Sequence, residues 1–133
     1  MQQASALRAF RRPRVWLSLW VSMIVAAIVL SLMPRPPIPP TLTIGKLDHL
    51  IAYAALAAMA VQLYATPRVQ WRAGLALVGL GIALELAQGL LTSDRHMAVY
   101  DAVVDAIGVA LGLATGWTSF ATILLRFDLR PSR

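Results

Sequence analysis

The chain contains no cysteine, and only 14% of its 133 residues are charged. The first absence excludes disulfides, iron–sulfur ligation and a thiol nucleophile. The second excludes an ordinary water-soluble surface, since soluble domains carry about 25% charged residues. Aromatic residues are also sparse, at 8%, and do not alternate with basic ones as in proteins that stack nucleotide bases. No nucleic-acid partner is therefore expected, despite a net charge of +6. The serines form no nucleophile elbow, and there is no glycine-rich phosphate loop. There is no HExxH pattern, cysteine cluster or calcium-loop spacing. No metal ion and no cofactor are expected from these local signals.

Hydrophobic residues are abundant, at 59%. They fall into four runs, at about 15–33, 49–66, 72–91 and 102–125. Runs of this length match the hydrocarbon thickness of a bilayer, about 30 Å at 1.5 Å per residue. A soluble four-helix bundle would need a polar face on each helix, and these runs lack one. None alternates with period two, which argues against a membrane barrel. The expected fold is all-α, a transmembrane helical bundle of four spans. It comprises a basic segment at 1–14, one membrane domain at 15–125 and a basic tail at 126–133.

Arg8, Arg11, Arg12 and Arg14 precede the first run like the n-region of a signal peptide. The run is too long for an ordinary h-region, however, and ends at Pro34, Arg35, Pro36 and Pro37 rather than at small residues. An uncleaved first span is expected. The prolines between Pro34 and Pro40 cannot continue its helix, because proline lacks an amide donor and clashes with the preceding turn. With the N-terminus inside, Arg8, Arg11, Arg12, Arg14, Arg68, Arg72, Arg126, Arg130 and Arg133 all lie on the cytoplasmic side. Only Arg35, Lys46 and Arg95 lie outside. This bias predicts both termini in the cytoplasm, with anionic membrane lipid as a contact of the arginines.

Gly108, Gly112 and Gly116 recur every fourth residue and leave a bare ridge that another helix backbone can approach closely. Gly74, Gly81, Ala54 and Ala58 are weaker instances of the same pattern. The ridge does not reveal whether its partner lies in the same chain, so a homo-oligomer remains open.

Four alternating spans bring three polar groups to the outer side. Lys46, Asp48 and His49 open the second run, and Tyr53 lies one turn after His49. Glu85 and Gln88 share a face near the end of the third, followed by Asp94, Arg95 and His96. Asp101 and Asp105 share a face at the start of the fourth. Glu85 falls about 9 Å below the outer end of its helix, where an ionised carboxylate is costly unless paired or hydrated. Arg95 is the natural counterion, since its planar fork can hold a carboxylate bidentately. For acid–base work, His49 is the candidate near neutral pH and Glu85 a second, with Asp101 or Asp105 orienting a protonated partner. Tyr53 reads as an interfacial anchor before a catalytic hydroxyl. The bland alternative is a packing network that fixes the bundle.

Lys46, His49 and Tyr53, the stretch IALELAQG with Glu85 and Gln88, and RHMAVYDAVVDAIG from Arg95 to Gly108 together resemble the VanZ-like family. The resemblance spans about residues 44–116. It implies a small bacterial inner-membrane protein of the cell envelope, in a family named after a protein linked to teicoplanin resistance. Two positions depart from the family pattern. Gly45 replaces a frequent aspartate, and Asp105 replaces an asparagine, which creates a like-charge pair with Asp101. The expected function is binding or modifying an amphipathic, lipid-linked or cell-wall ligand in an outward polar pocket. A structural role and an acid–base enzyme using His49 and Glu85 are the alternatives.

Overall fold

The computed structural model describes residues 6–33, 45–91 and 99–131. These residues are helical almost throughout: α1 (Pro13–Leu32), α2 (Gly45–Leu63), α3 (Pro67–Leu91), α4 (Val99–Ala114) and a short α5 (Ile123–Asp128). The only β-type pairing among them is an isolated bridge between Leu7 and Tyr64. Three helical stretches, Pro13–Leu32, Pro67–Leu91 and Val99–Trp117, are long and apolar enough to cross a membrane. α2 adds the shorter apolar stretch Leu47–Leu63.

The helices run alternately up and down. At one end the segment before α1 lies along the end of α2, with Arg8 N donating to Leu63 O at 2.9 Å and Ala65 N to Ala6 O at 2.9 Å. Gln70, near the start of α3, donates to Tyr64 O at 2.9 Å. At the opposite end Gln88 donates to Ser31 O at 2.9 Å, tying α3 to the end of α1. The arginines 8, 11, 12, 14, 68, 72, 126 and 130 gather at the first end.

α2 is the central element and packs most extensively on α4. The reason is steric. A Cβ on Gly108 would lie 2.6 Å from Leu50 O, and one on Gly112 would meet Ala54 O and lie 2.6 Å from Ala57 Cβ. No described glycine has a positive φ, so these positions need glycine for space and not for backbone freedom. The ridge anticipated on α4 thus finds its partner within the same chain, and Ala54 and Ala58 form the facing surface. Gly116 does not extend it. It lies in a 3-10 turn at Thr115–Trp117, where an added Cβ would meet Gln70 Oε1 at an ordinary 3.5 Å.

That turn corrects the expectation of one continuous helix over 102–125. Hydroxyl groups compete for the backbone where α4 ends. Thr115 Oγ1 donates to Gly112 O at 2.6 Å, and Thr118 Oγ1 donates to Thr115 O at 2.8 Å. Thr118 is extended and accepts from Phe120 N as the cap of a second 3-10 turn, Ser119–Thr122. α3, by contrast, begins before the expected residue 72. Pro67 opens it, a position where a fixed φ and a missing N–H cost nothing.

α1 packs against α2 and α3 but buries no residue completely. Trp20 attaches it, donating from its indole to Leu56 O at 2.9 Å and meeting Tyr64 edge-on at 5.7 Å. Its other face exposes Val15, Leu19, Val25, Val29 and Leu30, a surface suited to lipid tails. The core itself is built from Tyr53, Leu56, Ala57, Leu77 and Val109.

Candidate functional site

The polar residues singled out in the sequence divide into three groups. His49, Tyr53, Glu85, Gln88, Asp101 and Asp105 have defined places around the end of the bundle opposite the arginines. Lys46 lies on α2, but its side chain is outside the described residues, as are Asp94, Arg95 and His96 in full. The proposed pairing of a carboxylate with Arg95 therefore lies outside them too. Asp48 is exposed and has no hydrogen-bond partner among the described residues.

The centre of the cluster is a contact between α2 and α4. His49 Nδ1 and Asp105 Oδ1 are 2.9 Å apart, with Asp105 only 3% exposed at its side chain. The close packing at Gly108 draws α4 onto α2 and brings Asp105 to His49. An ionised Asp105 accepts from Nδ1–H, which fixes the ring and leaves Nε2 as the second functional nitrogen. Asp105 thus pairs with a histidine and not with its neighbour Asp101. Asp101 is half-buried one turn earlier and still acts electrostatically on His49.

Glu85 enters from α3 and is 3% exposed. His49, Glu85 and Asp105 each offer one ligating atom, and these atoms lie within 4.8 Å of one another. Gln88, one turn after Glu85, is also buried, but its amide reaches Ser31 O on α1. It joins helices and does not enter the cluster through that bond.

Tyr53 is not an interfacial anchor. It is 3% exposed, and its hydroxyl has no hydrogen-bond partner among the described residues. Packing of α4 across α2 covers the ring, which a sequence position near a helix end cannot reveal. Gly81 on α3 makes room for this hydroxyl and for Asp105: an added Cβ would lie 3.3 Å from Tyr53 Oη and 2.8 Å from Asp105 Oδ2. Gly81 was visible in the sequence only as one of several small residues.

Beside the cluster runs a feature the sequence did not indicate. A groove of about 540 Å³ lies between α3 and α4, walled by Val78, Ile82, Leu86, Val99, Val103 and Ile107. Glu85 contributes to its lining as the one acidic residue among apolar ones. Sequence periodicity shows that Val99, Val103 and Ile107 share a face, but not that this face lines a groove with α3.

No protein-family model matches this chain, and no curated protein or solved structure is significantly similar to it. Its chemistry is therefore read from the geometry: an apolar groove meets a buried carboxylate beside an imidazole–carboxylate pair.

Proposed function

We propose that the chain is a four-span protein of the bacterial inner membrane, with both termini cytoplasmic, that binds an amphipathic cell-envelope or lipid-linked ligand at its outer end. The single observation that carries this reading is the groove between α3 and α4, with Glu85 set into its apolar lining. Apolar walls accommodate a hydrocarbon chain, while the polar cluster receives a head group. Topology is supported by the arginines at the opposite end. The VanZ-like resemblance enters only as the reason to look to the cell envelope.

Two measurements test it. Native mass spectrometry of protein in lipid nanodiscs should find a species enriched over the surrounding lipid and lost in Glu85→Gln. A bound population identical to the bulk lipid would end the ligand reading. Because the chain has no cysteine, single cysteines at Arg68 and Asp48 can be labelled from one side. Reaction of both with an impermeant reagent in intact cells would end the topology.

The His49–Asp105 pair supports a second reading, in which the same pocket carries out acid–base chemistry on its ligand. His49→Gln should then abolish turnover while leaving ligand retention intact. Absence of turnover across envelope lipids and precursors would leave binding alone.

A further inference from the structure

We propose that His49, Glu85 and Asp105 hold one first-row divalent transition-metal cation, such as Zn²⁺ or Mn²⁺, with the Tyr53 hydroxyl accepting a hydrogen bond from a cation-bound water. The proposal stands on side-chain geometry and does not depend on what fills the neighbouring groove.

Three helices supply the donors. Their ligating atoms already lie within 4.8 Å of one another. A tetrahedral cation with ligands at about 2.1 Å sets neighbouring donors about 3.4 Å apart. On binding, Glu85 and Asp105 would turn toward the ion to close that difference. The two carboxylates are fully buried, and His49 is more than half-buried. The donors are therefore largely withdrawn from bulk solvent, which favours inner-sphere binding over loose counterion attraction.

The donor set also selects the kind of ion. Calcium takes six to eight oxygen ligands, and magnesium prefers oxygen in a strict octahedron. One imidazole with two carboxylates instead matches zinc, manganese and ferrous iron. The absence of a linear motif is consistent with this arrangement, because no two of the ligands share a helix.

Tyr53 provides an observation independent of the carboxylates. Its hydroxyl is buried without a partner among the described residues, whereas buried polar atoms ordinarily have one. The same hydroxyl feels the charges of both Asp105 and Glu85 and borders the space beside Gly81 that also borders Asp105 Oδ2. A hydrated cation held there would supply the missing partner. Cation binding at His49 Nδ1 would replace its hydrogen bond to Asp105, the two groups turning from each other onto the ion.

The test is titration of chelator-stripped protein with Co²⁺, read by visible d–d absorption and competed with Zn²⁺. One equivalent should bind with the spectrum of a mixed nitrogen–oxygen site. His49→Gln and Asp105→Asn should each weaken binding at least tenfold, and the double variant should abolish it. Gly81→Ala, which retains every ligand, should weaken it by crowding the Asp105 carboxylate. Circular dichroism of each variant establishes that the helices remain. Thermal stabilisation of the unmodified protein by Zn²⁺, reversed by chelator, provides a readout free of substitution. No Co²⁺ spectrum at millimolar ion, or one unchanged in the double variant, would overturn the proposal. Val103→Trp, which fills the groove, should leave the spectrum intact. Loss of cation binding with the enriched lipid retained would remove this inference alone.

Discussion

α4 has two unlike faces. Toward α2 it presents Gly108 and Gly112 and packs so closely that an added methyl would strike backbone. Toward α3 it presents Val99, Val103 and Ile107, which remain exposed along an open groove. Asp105 is set between them and carries a hydrogen bond to α2. The difference separates two tasks within one helix. The glycine face holds the bundle together, and the branched face leaves space that the protein itself does not fill.

Substitutions on the two faces should therefore have opposite signatures. Gly112→Leu should have the largest effect on stability, about 3 kcal/mol or more, because backbone blocks the new side chain. Reversible unfolding in mixed detergent measures it, with Ile107→Leu on the open face as the reference. Equal stability of the two variants would break the comparison. Gly81→Ala should cost less, about 1–3 kcal/mol, since Asp105 is a side chain that can shift. It should also alter the His49 imidazole resonances, which a purely apolar packing defect would leave alone.

Val103→Trp should change stability by only about 0.5 kcal/mol, as expected of a site outside the packed core. It should nevertheless displace the enriched lipid species found with the unmodified protein. Loss of stability without loss of lipid would show that the groove belongs to the packing.

The smallest expected effect lies away from both faces, at the arginine-rich end. Trp16 donates from its indole to Asp128 Oδ1 at 2.9 Å, and the backbone amides of Arg11 and Arg12 donate to Oδ2. Trp16 also meets Phe127 edge-on at 6.3 Å. Local desolvation works to raise the Asp128 pKa, but the hydrogen bonds from Trp16, Arg11 and Arg12 and the Arg12 charge more than offset it. The net shift is downward from 3.8. A lowered folded-state value means that the ionised form favours the fold. The clasp is therefore fully present above the ordinary aspartate value and is lost as pH falls through the lower, folded one. Trp16 fluorescence should stay constant from neutral pH to about 4 and change only below that. Asp128→Asn should remove this transition while leaving the lipid and the glycine seam unaffected. A transition near neutral pH would contradict this account.

Much of the architecture was legible along the chain. Apolar length indicated where helices run, and proline marked the end of α1, but Pro67 indicated only an end to the second run, although it opens α3. Paired spacing placed Glu85 with Gln88 and Asp101 with Asp105 on common faces. The fourth run was overextended, because apolar composition continues past Ala114 while threonine hydroxyls break the helical bonding. Asp128 gave no warning, since a lone acid in a basic tail has no periodicity to interpret.

Local composition and spacing determined that the chain is helical, apolar along its length and supplied with acidic groups near one end. They work because helix formation and side-chain facing depend on residues within a few turns. Only tertiary packing decided that Asp105 meets His49, that Tyr53 is covered, that the glycine ridge pairs with α2 and that an open groove runs along one side of the α3–α4 contact. Each of these depends on how one helix is rotated against another, and that rotation is set by contacts between residues far apart in the chain.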